Sequence, residues 1–437
     1  MPPLVSICMP TLNARRFLEP RMESILTQTL TDWELIVCDS FSDDGTWEFL
    51  QSYKSDPRVR LYQVPREGLY AGWNECLRRA TGAYVYVATA DDTCKPELLE
   101  KMVGALEQWK VERGKWNVER EERGDEESPK HEIPKPEGNP KRGEWPKHKT
   151  GNWKLETGEE GMRAWSVETG TRPQGATKDD ERRTMNDEHA FLPFKIAVCN
   201  FDYIDENSKV IEPPLPPAGA FYGDDRYRPH VRSGYKEFLV HLLIGTSWTT
   251  MTTVLFPRAL LEKTGLFRTD CGALADRFWA YKSALFADTV VVPETLATWR
   301  QHAEQGSSPF QKRDMRARRQ LWRATVETLD ECEPFLPEAW KRMPHWREAL
   351  LRPERKHYYD LLRLDRTTLR YRPLTFLRGA LSAARLEPGY LLKRLAVGLA
   401  WEPDHRLTET EYCERLIRGL DEGDEGRRTW VRALVRS

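Results

Sequence analysis

The sequence predicts an α/β fold: a mostly parallel central sheet flanked by helices, with a long charged insertion and a helical C-terminal region. Three observations carry that expectation. Over the first hundred residues, short β-rich runs alternate with helically spaced apolar residues. Acidic and polar residues cluster directly after several of those runs, and the middle of the chain becomes poor in aliphatic residues. Alternation of strands and helices implies parallel β-α-β units, and in such sheets ligands bind beyond the carboxyl ends of the strands.

Val5–Met9 is a β-rich run that stops at Pro10. Arg15–Leu30 places Phe17, Met22, Ile25 and Leu26 at helical spacing, and Trp33–Cys38 returns to a strand pattern. Thr46–Tyr53 reads as a helix, Arg58–Val64 as a strand, Leu69–Ala80 as a helix and Ala83–Thr89 as a strand. Lys95–Trp109 reads as a helix with Pro96 near its first turn, where a missing N–H is tolerated. Between residues 109 and 189 Glu, Lys, Gly and Pro dominate. Such a segment buries too little apolar surface to offset its ordering entropy, so a flexible insertion is expected. Pattern resumes with a strand at Lys195–Tyr203, a helix at Tyr235–Leu243, a strand-like Met251–Phe256, helices at Ala259–Thr264 and Ala275–Ala287, and a strand at Thr289–Pro293. The expected organisation is one α/β domain from residues 1–108 and 190–308, interrupted by the insertion and followed by helices over 309–437.

Composition narrows the function classes. Across 437 residues the net charge is −1, which gives no basic excess to attract a nucleic acid. The eight cysteines include no C-x-x-C pair, so neither a disulfide framework nor a zinc ribbon is expected. The N-terminus lacks a basic leader with an apolar run, and no apolar run approaches the ~20 residues of a membrane span. A cytoplasmic protein with buried thiols is the expectation.

Chemistry concentrates in VSICMPTLN (5–13), VCDSFSDDGT (37–46) and TADD (89–92), each at the end of a strand. Parallel pairing would bring all three to one rim. Asp39 can accept a hydrogen bond from a donor such as the N3–H of uracil or thymine. Asp43 and Asp44 suit turn and N-capping roles. Asp91 and Asp92 are adjacent carboxylates, unfavourable unless positive charge lies nearby. A divalent cation on a diphosphate would supply it, because Mg²⁺ and Mn²⁺ prefer oxygen ligands.

Taken together, these residues resemble the family 2 glycosyltransferases of GT-A fold. Pro10 and Asn13 match P-x-x-N; Val37, Asp39, Ser42, Asp44, Gly45 and Thr46 match V-x-D…S-x-D-G-T. Gly68 and Asn74 match a G-x-x-x-x-x-N helix, Gly82, Tyr84 and Val85 a G-x-Y-V strand, and Asp91 with Asp92 the acidic D-x-D-type motif. The resemblance implies an inverting, metal-dependent enzyme that moves a sugar from a nucleotide-diphosphate donor, in particular a UDP-sugar, to a glycan or lipid-linked acceptor. It also implies roles in the cell-envelope polysaccharide class and a Mn²⁺ or Mg²⁺ cofactor. Asp39 is then the base-reading residue, Pro10 and Asn13 line the nucleotide, Asp91 lies near ribose and metal, and Asp92 is the direct metal ligand. Asp276, before an amphipathic helix, matches the general base, and Arg300 and His302 of an aromatic-Arg-x-His ending reach the diphosphate.

Three residues depart from the family's pattern: Thr89 replaces an acid, Trp73 an arginine and Ala275 a glutamate. They keep open a rival reading, a catalytically inactive nucleotide-sugar-binding or scaffold protein. A nucleotidyltransferase or dinucleotide oxidoreductase would want glycines after the first strand, and MPTLNARRF has none. Beyond residue 310, basic residues interleaved with Leu, Phe and Tyr read first as a helical cap packed on the catalytic domain, with peripheral contact at the inner face of a membrane as the alternative.

Overall fold

The computed structural model describes residues 2–108, 192–212, 217–302, 315–342, 345–361, 366–385 and 409–421. The insertion expected at 109–189 lies outside them. The elements run β1 (Val5–Thr11), α1 (Arg15–Leu26), β2 (Trp33–Asp39), α2 (Thr46–Gln51), β3 (Val59–Gln63), α3 (Leu69–Arg79), β4 (Tyr84–Val87) and α4 (98–108). After the insertion come β5 (Phe194–Ile204), β6 (Val210–Ile211), α5 (Pro217–Tyr222), β7 (His230–Arg232), α6 (Gly234–Leu243), β8 (Val254–Pro257), α7 (Leu261–Thr264), α8 (Ala275–Ala284) and β9 (Ala287–Arg300). The C-terminal region is helical: α9 (Met315–Cys332), α10 (Glu338–Lys341), α11 (Trp346–Leu361), α12 (Arg366–Tyr371), α13 (Pro373–Ala384) and α14 (Glu409–Asp421).

The sheet is ordered β3-β2-β1-β4-β8-β5-β9-β7, with β6 on β5. The sheet is mixed. β1 to β4 pair in parallel, β8 runs antiparallel to both β4 and β5, and β9 is parallel to β5. Two successive reversals restore direction, so β5 and β9 point the same way as β1 to β4. Their carboxyl ends therefore share one rim. β1 and β2 are buried along their whole length, as strands covered on both faces must be.

One boundary matters for the site. The expected strand ending at Pro293 instead continues to Arg300. Proline cannot donate to a ladder, so the register jumps: Cys199 faces Val292, while Asn200 faces Thr295. The Asn200 side-chain amide donates to the Pro293 carbonyl at 2.7 Å, stabilising the bulge. Carried past the proline, β9 reaches the rim.

The first helix also ends earlier than its pattern suggested, at Leu26. Gln28 then donates to the Lys95 carbonyl at 2.8 Å and accepts from the Leu99 amide at 3.0 Å, which anchors the start of α4. The apolar core is continuous from the sheet through α6 and α8 into the C-terminal helices, joining Val254 and Trp279 to Trp322, Leu350 and Ile417. All eight cysteines are buried and free.

Close backbone approach explains Gly82. A Cβ there would lie 2.7 Å from the Ser6 amide nitrogen. Gly82→Ala should destabilise the protein by about 1–3 kcal/mol, as overpacking does, read as a lower urea midpoint at unchanged slope.

Candidate active site

At the exit of β4 the adjacent acids part company. Asp92 is only 1 % exposed. Its Oδ2 accepts hydrogen bonds from the Thr89 and Thr252 hydroxyls, and its Oδ1 accepts the Arg300 amide at 2.7 Å. Burial, followed by the neighbouring Asp91 charge, pushes its pKa up to about 6, against the pull of these donors. Asp91 turns the other way. Its side chain is 26 % exposed, and its Oδ2 lies 3.0 Å from His302 Nε2. The Phe17 ring packs 5.1 Å from the His302 ring, and an Arg16 guanidinium nitrogen lies 3.4 Å from His302 Nδ1.

Arg300, expected at the diphosphate, is buried and turned inward. Its guanidinium donates to the carbonyls of Asp91 (2.6 Å), Asp205 (2.8 Å) and Glu206 (3.2 Å) and to Ser208 Oγ (3.0 Å). It thus ties the turn after β5 to the acidic loop. Burial depresses its pKa, opposed by the nearby aspartates.

Asp39 ends β2 directly opposite Thr11 of β1. It is fully buried and accepts from Thr11 Oγ1 (3.0 Å), the Ser42 amide (3.0 Å) and Ser42 Oγ. Ser42 Oγ also accepts the Asn13 amide at 2.9 Å, and Asn13 Oδ1 accepts the Asp43 amide at 3.0 Å. The two rim loops are thereby stapled together. Asn13 and Phe41 both adopt positive φ (50° and 52°), uncommon for non-glycine residues and a frequent mark of ligand clamps. Around them Leu12, Phe41 and Leu69 are exposed apolar side chains. Arg66 holds the Ser40 and Phe41 carbonyls and pairs with Asp43 at 3.2 Å. Asp44 does turn chemistry, accepting the Arg15 and Thr46 amides at 3.0 Å each. Pro10 is buried; a Cβ on Gly72 of α3 would come within 2.8 Å of its own Cβ.

Asp276 sits in the first turn of α8, partly buried. Its Oδ1 accepts the Tyr70 hydroxyl at 3.0 Å and the Arg277 amide at 2.8 Å. Desolvation raises its pKa, and the Tyr70 hydrogen bond opposes the rise. Tyr70 opens α3 beside Trp73, with ring centroids 5.4 Å apart, and Trp73 Nε1 donates to the Ala88 carbonyl at 3.1 Å. Asp276 is therefore connected through α3 to the strand end that carries Asp91. Asn74 clamps the same helix, meeting both the amide and the carbonyl of Phe267.

The structure thus brings Asp91 and His302 together at the rim and connects Asp276 through Tyr70 and Trp73 to the Ala88 carbonyl at the exit of β4. It places Asp92 and Arg300 beneath that rim as a supporting layer, and Asp39 within the loop staple. Sequence reasoning missed Tyr70 and Thr252. Tyr70 carried a signal, two residues after Gly68 in the matched helix motif; Thr252 carried none, because its partner lies 160 residues away.

Comparison with known proteins bears on this geometry. Residues 6–157 match the profile described as "Glycosyl transferase family 2". TuaG of Bacillus subtilis (strain 168) is 40 % identical over 103 residues, covering 23 % of this chain and 41 % of TuaG. The Escherichia coli protein named UDP-Glc:alpha-D-GlcNAc-diphosphoundecaprenol beta-1,3-glucosyltransferase WfgD is 34 % identical over 104 residues, covering 24 % of this chain and 41 % of WfgD. The matched segment spans less than half the length of either relative. Among solved structures, S. aureus TarS 1–349 aligns with a TM-score of 0.47 and 11 % identity, over 98 % of this chain and 88 % of that one.

Because Arg300 serves the fold, Arg300→Lys should lower stability by about 2–4 kcal/mol, since one ammonium cannot satisfy the partners of a guanidinium. Chemical denaturation without any ligand reads this directly.

Proposed function

We propose that the chain, whose residues 6–157 match the glycosyl transferase family 2 profile, moves a sugar from a nucleoside-diphosphate donor, a UDP-sugar, to a hydroxyl acceptor. The acceptor we propose is a lipid-linked or growing glycan of the cell envelope, handled at the inner face of a membrane. WfgD's name, which gives a UDP-sugar donor and a diphosphate-linked lipid acceptor, supports both choices.

The observation that carries this reading is the meeting of Asp91 and His302 at the rim, 3.0 Å apart. A carboxylate oxygen and an imidazole nitrogen converging there fit a divalent cation. Because Mg²⁺ usually takes an all-oxygen shell, the imidazole makes Mn²⁺ the better match. Two protein ligands leave room for diphosphate oxygens and water; among the described residues no cluster of three or more His, Cys, Asp or Glu offers a closed site. When bound, the cation would neutralise charge developing on the leaving diphosphate. Asp91, rather than Asp92, is the ligand in this proposal, since Asp92's oxygens are committed to Thr89, Thr252 and Arg300.

The remaining roles belong to the chain's own residues. Leu12, Phe41 and Leu69 would cover the nucleoside, and the loop stapled by Asp39 and Asn13 would present it. Arg16, exposed beside His302, supplies positive charge where Arg300 does not. Asp276 takes the proton from the acceptor hydroxyl, which attacks the anomeric carbon from the face opposite the diphosphate and inverts it. Tyr70 is a positioning residue: it holds the carboxylate and keeps it ionised at a lower pH than burial alone would allow.

Asp91→Asn should abolish Mn²⁺-dependent donor binding by calorimetry, whereas Asp92→Asn, whose Oδ1 still accepts the Arg300 amide and whose NH2 can donate to reoriented Thr89 and Thr252 hydroxyls, should bind donor within about tenfold of wild type. The reverse order would return the metal to Asp92.

Asp276→Asn should bind donor normally while transfer falls by about 10²–10⁴-fold. Tyr70→Phe removes a hydrogen bond that lowers Asp276's pKa, so the acidic limb of the transfer rate should move to higher pH, by up to about one unit. An unmoved limb in Tyr70→Phe would detach Tyr70 from the base, and full activity in Asp276→Asn would remove the base itself.

A further inference from the structure

Helix α13 carries a surface that the catalytic reading does not use. Phe376, Ala380 and Ala383 pack towards the core. Leu374, Leu377 and Leu381 lie on the opposite side, spaced three and four residues apart, and each is more than half exposed. Leu369 and Tyr371 of α12 are also exposed. Five exposed large apolar residues in thirteen positions make a patch, and such patches mark interaction sites.

The charges around the patch select the partner. From Arg366 to Arg385 the chain has arginines at 366, 370, 372, 378 and 385 and no acidic residue. Arg370, Arg372, Arg378 and Arg385 are all exposed. Arg378 and Arg385 fall on the same helical stripe as Leu374, Leu377 and Leu381. Against a protein partner, so uniform a sign would demand an equally one-sided acidic surface. A bilayer of anionic phospholipid offers negative headgroups above an acyl layer, matching arginines that flank leucines. No described helix is long and apolar enough to cross a membrane; a helix with leucines on one exposed stripe and arginines beside them suits contact in the plane of the interface.

We infer that α12 and α13 dock the protein on an anionic phospholipid surface, with Leu374, Leu377 and Leu381 inserted among the headgroups and Arg370, Arg372 and Arg378 paired with phosphate. The inference rests on the proposed lipid-linked acceptor for its purpose, but not for its physics.

Full-length protein is sedimented with phosphatidylcholine vesicles, with or without phosphatidylglycerol, across a salt series. Binding should require phosphatidylglycerol and should weaken as salt shortens the screening length from about 10 Å at 0.1 M to about 3 Å at 1 M. The triple variant Leu374→Ser, Leu377→Ser, Leu381→Ser and the triple variant Arg370→Gln, Arg372→Gln, Arg378→Gln should each bind about tenfold or more weakly. Both should keep the wild-type unfolding midpoint and soluble donor turnover. The arginine variant, changing only exposed polar positions, tests the surface even if the leucine variant folds poorly. Equal binding to neutral vesicles, or undiminished binding by the arginine variant, overturns the inference. So does absence of vesicle binding together with self-association that the leucine variant abolishes, which would assign the stripe to a second copy of the chain. Loss of donor turnover in wild type would instead count against the transferase reading alone.

Discussion

One buried carboxylate holds the rim together. Asp92 receives Thr89 from the exit of β4, Thr252 from the turn that opens β8, and the backbone amide of Arg300 from the end of β9. Three strands that are distant in sequence thus terminate on the same two oxygen atoms. Charge-assisted hydrogen bonds of this kind are stronger than neutral ones, and a buried acceptor of this kind is costly to leave unmet. The strand ends cannot slide independently, and whatever they present to solvent is placed as a unit.

The placement of Asp91 follows from that knot. In the bend after β4, Asp92 turns inward to its three donors while Asp91 turns outward to His302. Arg300 reinforces the arrangement from below by holding the Asp91 carbonyl, and two residues later His302 arrives beside the Asp91 side chain. All of this depends on β9 passing Pro293. Had the strand stopped at the proline, as its pattern suggested, neither Arg300 nor His302 would have reached the loop after β4. The bulge at Asn200 is therefore as much a part of the site as the acids.

The alternation of strand and helix, the three rim motifs and the helical C-terminal region were legible in the sequence, because periodicity and strand-ending acids are local signals. Division of labour between Asp91 and Asp92 was not. Two neighbouring aspartates are chemically identical in sequence, and the buried one is held in part by Thr252 and the Arg300 amide, 160 and 208 residues away. The inward turn of Arg300 was equally hidden, since its partners are mainly backbone carbonyls of a loop with no distinctive residues. Conversely, the pairing of Tyr70 with Asp276 spans 206 residues, so neither periodicity nor spacing could reveal it.

Thr89, a departure from the family's acid, looks different once the knot is drawn. Its hydroxyl donates to Asp92, a role a carboxylate at that position could not fill without a proton of its own. An acid there would instead add a third negative charge beside two that already raise each other's cost. The substitution therefore removes repulsion and adds a donor at the residue that most needs one. The same reasoning applies to Ala275, whose buried methyl leaves Asp276 without an acidic neighbour and with Tyr70 as its partner in the first turn of α8. Both changes keep a further negative charge away from a buried carboxylate and so favour its ionised form.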